Sequence, residues 1–188
     1  YTVSETQSNI PGYELVYVKE GNTQLQADNN GAYTASAATV ENGEETTVEI
    51  EDKYDFERGT LTIEKTLDKD NITEDVLENL KFTVKAGADN KEHAGEYLYI
   101  DDNGKVAYSA QAVEIALKDF EKGTDGKYTL TFEDIVVGSY SVTETQANIP
   151  GYELKSVKIN GTDVTNNTAY TTNATVTVNG ETVEIEDK

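Results

Sequence analysis

Cysteine is absent from the 188 residues, as are methionine and tryptophan, and there are only two prolines and one histidine. Without cysteine the fold has neither disulfides nor thiolate metal sites, so work outside a cell would need another stabiliser. Basic residues are scarce: 15 Lys and Arg stand against 36 Asp and Glu, for a formal charge of −21. The acidic residues are spread along the chain, which excludes an electrostatic role towards nucleic acid or an anionic membrane and implies a self-repelling surface. No apolar run is long enough to cross a bilayer, and there is no initiating Met, cleavable signal or sorting tail, so the chain reads as a piece of a longer precursor. The lone His93 lies in a polar stretch, where it is expected to be exposed, and has no nucleophile elbow to partner.

What the chain does have is Thr, Val, Tyr, Asn, Asp and Gly, a palette for strands joined by tight turns. It also has a repeat. Residues 1–15, YTVSETQSNIPGYEL, match residues 140–154 except at Thr2/Ser141, Ser4/Thr143 and Ser8/Ala147, and VEIEDK occurs at 48–53 and again at 183–188. The repeat is too long for a solenoid unit and suits an independent domain. Residues 1–53 are thus the C-terminal half of one repeat, 54–58 a charged linker, and 59–188 a complete repeat. In the half copy Val3, Leu15, Val18, Val48 and Ile50 would face missing strands. Either the chain is trimmed from a longer tandem, or strands of a neighbouring chain complete the half copy by strand addition.

In the complete copy GTLTIEKTL puts Leu61, Ile63, Lys65 and Leu67 on one face of a strand. Asn71 and Glu74 form a candidate capping box for a short helix bearing Ile72, Val76 and Leu80, followed by a strand around Phe82 and Val84. Asn103-Gly104, Asn160-Gly161 and Asn179-Gly180 are hairpin signals. Val113, Ile115 and Leu117 alternate, although 111–120 also fits a helix; Tyr128, Leu130 and Phe132 alternate after it. Short strands with regular turns over some 130 residues predict an all-β, immunoglobulin-like antiparallel β-sandwich.

Three strands carry an ionisable residue at the parity of their apolar ones. Lys65 follows Leu61 and Ile63, Glu144 follows Tyr140 and Val142, and Asp187 follows Val183 and Ile185, so all three point inward. Burial favours the neutral forms of amines and carboxyls alike. A neutral Lys65 amine is a nucleophile, and a neutral Glu144 that donates a hydrogen bond to the Asp187 carboxyl would activate it for amide formation with loss of water. The bland alternative is a buried ionic cluster that never reacts.

With LTIEKTL first, G-x-Y-x-V-x-E-T followed by GY late, and an inward Asp at the end, the chain resembles the Cna B-type domain, also called SpaA-like or prealbumin-like. This is a repeat of surface adhesins and pilins of Gram-positive bacteria. The resemblance covers 59–188 as one domain and 1–53 as the end of another. It implies an intramolecular isopeptide bond between Lys65 and Asp187 with Glu144 as its catalyst. In the half copy it makes Glu5 and Asp52 the corresponding pair, whose lysine would precede Tyr1. The family more often has Asn where this chain has Asp187.

The resulting expectation is a structural stalk or backbone repeat on the cell surface or cell wall, with neighbouring repeats or fibre subunits as partners. It calls for no cofactor and no metal; Asp68, Asp70, Asp101 and Asp102 lack the spacing of a calcium loop. A host-ligand or carbohydrate-binding module is the first alternative, with the insert between Gly87 and Tyr108 as its candidate loop. A self-assembling fibre subunit completed by a neighbouring chain is the second. A turnover enzyme is the least expected class, since the reaction happens once.

Overall fold

Strands form wherever the period-two pattern is strong, in two units of the chain, Tyr1–Glu57 and Arg58–Lys188. The computed structural model describes residues 1–68, 72–167 and 169–188. The division falls within 54–58, and Tyr54 to Phe56 continue a strand of the first unit.

The first unit holds β1 (Ser4–Glu5), β2 (Tyr13–Glu20), β3 (Thr23–Gln24), β4 (Tyr33–Thr34) and β5 (Glu51–Phe56). β1 pairs with β4, and the others form a sheet in the order β3-β2-β5, all antiparallel.

The second unit begins with β6 (Arg58–Leu67), α1 (Glu74–Asn79), β7 (Lys81–Ala86), β8 (Tyr97–Ile100), β9 (Val106–Ser109) and β10 (Ile115–Ala116). It continues with β11 (Glu121–Lys122), β12 (Tyr128–Val136), β13 (Gly138–Gln146), β14 (Val157–Ile159), β15 (Thr162–Asp163), β16 (Tyr170–Val176) and β17 (Glu181–Asp187). One sheet runs β16-β13-β7-β8-β9, with β10 also on β7; the other runs β11-β12-β6-β17-β14-β15. Among the described residues every pairing is antiparallel except that of β6 with β17, the first and last strands, which lie side by side and parallel.

Inward residues of the two sheets make one core, including Leu61, Ile63, Phe82, Val84, Leu130, Phe132, Tyr140, Val142, Val183 and Ile185. Each such side chain taken out of water contributes about 1.5–3 kcal/mol. Gly59 fixes where β6 enters the sandwich, because a Cβ there would stand 2.0 Å from the Thr177 carbonyl oxygen. At the β14–β15 hairpin Asn160 and Gly161 both have positive φ, 49° and 76°, as a tight two-residue turn demands.

The two units share local geometry as well as sequence. Ser4↔Thr34 and Glu5↔Tyr33 in the first have the register of Thr143↔Thr171 and Glu144↔Tyr170 in the second. Val18↔Asp52 likewise has the register of Val157↔Asp187. Burial differs at the strand ends of the repeat, where Tyr140 and Val142 are fully buried and Tyr1 is 88% and Val3 44% exposed, but Val18, expected to face missing strands, is as buried as its counterpart Val157. The strands that cover Tyr140 and Val142 have no counterpart in the first unit.

Several local expectations need correction. The stretch 111–120 is neither one strand nor a helix, but the two-residue β10 followed by a 3-10 turn at Leu117–Asp119. Asn179-Gly180 joins β16 to β17 in opposite sheets and so makes a crossing, not a hairpin. At α1 the N-cap is Thr73, without a side-chain cap bond, and Asn71 lies outside the described residues. Between Gly87 and Tyr108 the chain forms the β8–β9 hairpin and a loop anchored by the buried Asn90, which donates to the Tyr140 hydroxyl at 2.8 Å. His93 is half-buried, stacked on Tyr108 at 3.5 Å between ring centroids. Among the described residues no helix is long and apolar enough to cross a membrane.

Candidate functional site

Lys65 stands near the end of β6, where Leu61, Ile63 and Lys65 alternate inward with Thr62 and Glu64 on the other face. Asp187 closes β17, and the parallel register places Ile185 opposite Lys65 and Asp187 opposite Leu67. Glu144 comes from β13 in the facing sheet. The three meet in the core: Lys65 is 0%, Glu144 2% and Asp187 6% exposed.

Lys65 Nζ donates to both Glu144 oxygens, at 3.1 Å to Oε1 and 2.9 Å to Oε2. It also lies 2.6 Å from Asp187 Oδ1. That oxygen accepts no hydrogen bond from any described residue, so the approach of Nζ is a close charge contact out of hydrogen-bond alignment. One cation thus serves two carboxyls where water is excluded, an arrangement in which at least one carboxyl is favoured to hold a proton. The Glu144 carboxyl is raised to about 7, by burial first, against the pull of the Lys65 charge and with the charge and hydrogen bond of the Asp187 carboxyl adding to the rise.

Apolar and aromatic groups surround the set. In its sheet Glu144 is flanked by Phe82 on β7 and Tyr170 on β16. In the other, Lys65 is flanked by Tyr128 on β12 and Ile185 on β17. In the first unit Glu5 and Asp52 are again neighbours. Slight burial comes first in raising the Glu5 carboxyl, followed by the charge and hydrogen bond of Asp52. There Glu5 is half-buried and Asp52 exposed. Among the described residues no group of three or more His, Asp or Glu is arranged to hold a metal ion.

No protein-family model matches the sequence, and no curated protein matches it. Solved structures do. The major pilin of Streptococcus pyogenes aligns over 100% of this chain and 69% of its own, at 16% identity and a TM-score of 0.50. The chain has a pilin-type fold. A second Streptococcus pyogenes major pilin, T3.2, matches over 100% of this chain and 66% of its own at 13% identity and a TM-score of 0.46. The pilus-presented adhesin Spy0125 matches over 70% of this chain and 27% of its own at 21% identity and a TM-score of 0.38.

Within the pilin-type fold, the residues expected to face inward do so, and Lys65, Glu144 and Asp187 come within contact distance. Glu5 and Asp52 come together, with no lysine paired to either among the described residues. Sequence reasoning placed Phe82 in a strand but did not place it beside the three, and it lies directly across from Glu144. Its only signal is an aromatic at the inward parity of β7, which reads like any core residue.

Proposed function

We propose that the second unit crosslinks itself once, through an amide between Lys65 Nζ and Asp187 Cγ, and that the chain is a stalk or backbone module of an adhesin or pilus-like fibre on a Gram-positive cell surface. Neighbouring repeats or fibre subunits are its partners. The observation that carries this reading is the 2.6 Å approach of a fully buried Lys65 Nζ to Asp187 Oδ1. The pilin-type fold supports the role of the module.

The proton count fixes when the triad reacts. With one carboxyl proton on the Glu144–Asp187 pair and a charged Lys65, transfer of a lysine proton to the other carboxyl yields a neutral amine beside two neutral acids. The Nζ lone pair then attacks Asp187 Cγ while Glu144 hydrogen-bonds the carbonyl oxygen. Glu144 takes a proton from nitrogen and returns one to the departing hydroxyl, which leaves as water. Glu144 ends as it began. The step also replaces a buried ion pair, costly to desolvate, by a neutral amide. Glu5 and Asp52 would play the same parts in the first unit when a lysine-bearing strand is supplied.

Intact mass spectrometry of the purified chain and of Glu144→Ala tests this. Wild type should be lighter than its calculated mass by one water, with a digest in which the Lys65 and Asp187 peptides are joined, and the variant should have its calculated mass. Calculated masses for both would sink the crosslink.

A further inference from the structure

We infer that a groove beside Asp187 is the docking site of an extended segment running on from β17 and carrying aromatic residues at alternate positions, with the chemistry of Tyr54–Phe56. This deepens the reading of neighbouring repeats as partners and rests on it, not on the crosslink.

The groove holds about 500 Å³, and its apolar lining includes Leu67, Val76, Leu80, Ile149 and Leu154. One wall is a stretch that the chain contains twice, SNIPGYEL at 8–15 and ANIPGYEL at 147–154. Both copies make the same turn. Tyr13 N–H donates to the Ile10 carbonyl oxygen and Tyr152 N–H to that of Ile149, each at 3.0 Å, with Gly12 at φ 82° and Gly151 at φ 85°. After the turn the copies part. Tyr13, Glu14 and Leu15 enter β2 and pair with Phe56, Asp55 and Tyr54 of β5, whereas 152–156 lie outside any strand.

The ladder leading to this point is the same in both units. In the first it runs from Val18↔Asp52 to Tyr17↔Lys53, shifts register between Tyr17 and Leu15, and continues as Leu15↔Tyr54. In the second it runs from Val157↔Asp187 to Lys188, whose N–H donates to the Ser156 carbonyl oxygen at 3.0 Å. Lys155 N–H donates to the Lys188 carbonyl oxygen at 2.7 Å. An extended residue following Lys188 therefore falls opposite Leu154, as Tyr54 falls opposite Leu15, and the established ladder supplies its backbone bonds.

Side chains decide which segment fits. The Tyr54 hydroxyl donates to the Ser8 carbonyl oxygen at 2.7 Å, and the Phe56 ring lies 5.3 Å from that of Tyr13. Ser8 and Tyr13 correspond to Ala147 and Tyr152, both of which line the groove. A tyrosine opposite Leu154 thus enters the groove with the Ala147 carbonyl as its acceptor and its ring among the aliphatic lining. In the first unit the segment that fills this place is also the one that leads onward, since Glu57 alone separates β5 from β6.

The test extends the whole chain past Lys188 by Tyr-Asp-Phe-Glu-Arg, the sequence of 54–58, and follows amide hydrogen exchange in 152–155 by mass spectrometry. Exchange there should be at least tenfold slower than in the unextended chain. Two control extensions should leave it within about twofold: Ser-Asp-Ser-Glu-Arg, which lacks the aromatics, and Asp-Tyr-Glu-Phe-Arg, which puts them at the opposite parity. Equal exchange in all four chains, or equal protection by the opposite-parity extension, would overturn the inference. So would protection of the unextended chain that grows with its concentration, which would give the groove to a second copy. Intact mass is read on the same samples: protection in a chain of full calculated mass would sink the crosslink and leave the docking site standing, and water loss without protection would do the reverse.

Discussion

Lys65 and Asp187 sit in the first and last strands of their unit, yet the Lys65 Nζ lies 2.6 Å from Asp187 Oδ1 because β6 and β17 run parallel as direct neighbours. A bond between them would close nearly the whole unit into one loop. The chain has no cysteine with which to do this otherwise.

Removing the bond should therefore be costly. By the loop-entropy argument the proposed crosslink would contribute about 4 to 5 kcal/mol. Glu144→Ala should lower the melting temperature of the second unit by on the order of 10 to 20 °C. Calorimetry beside wild type checks this, and superimposed melts would contradict it.

The rate of crosslinking should depend on pH with a defined sign. Glu144, raised to about 7, holds the shared proton below that pH and loses it above. The initial rate of water loss from freshly folded chain should fall by about fivefold from pH 7 to pH 8 and by about tenfold from pH 8 to pH 9, following the protonated fraction of a group with its pKa near 7. A rate that is level or rising over this range would exclude Glu144 as the proton carrier.

Lys65→Met should leave two buried carboxyls without their cation. No water is lost, and stability falls by about 3 to 5 kcal/mol near neutral pH. The sign of its pH dependence follows from Glu144, whose folded-state pKa is raised from 4.5 and in this variant is no longer pulled down by Lys65. The folded state binds the proton more tightly, so stability is greatest below pH 4.5 and declines as pH rises towards the folded-state pKa. Urea melts at pH 5 and pH 8 should give a clearly lower midpoint at pH 8; equal midpoints would show that Glu144 is solvated.

A change remote from the triad separates folding from chemistry. The Gly59→Ala Cβ would meet the Thr177 carbonyl oxygen at 2.0 Å, which forces β6 and the β16–β17 crossing apart. A loss of about 2 kcal/mol or more is expected by chemical denaturation, within the range for overpacking. Molecules that still fold should lose water as wild type does.

Much of this was legible in the sequence because strand parity is a local property. Leu61 and Ile63 fix the face of Lys65, Tyr140 and Val142 that of Glu144, and Val183 and Ile185 that of Asp187, and all three are buried as the alternation requires. Sheet order is not local: nothing within β6 or β17 states that they pair with each other, or in parallel. The place of Phe82 beside Glu144 was illegible for a similar reason, since it comes from the residue across the ladder and not from its own strand. The stretch 111–120 misled because alternation over so few residues cannot separate strand from 3-10 turn, and contact with β7 decided it.

The parallel placement of β6 and β17 also limits extensibility. A pull on the two ends of the second unit enters at Arg58 and leaves at Lys188. With Lys65 joined to Asp187, only Arg58–Lys65 and Lys188 would lie outside the closed loop, and Arg58–Lys65 is already extended strand, so almost nothing could lengthen. Unlinked, the same unit could pay out about 130 residues, on the order of 450 Å. The crosslinked unit would act as a near-inextensible tether of set length, passing each tug onward at once instead of absorbing it by unravelling.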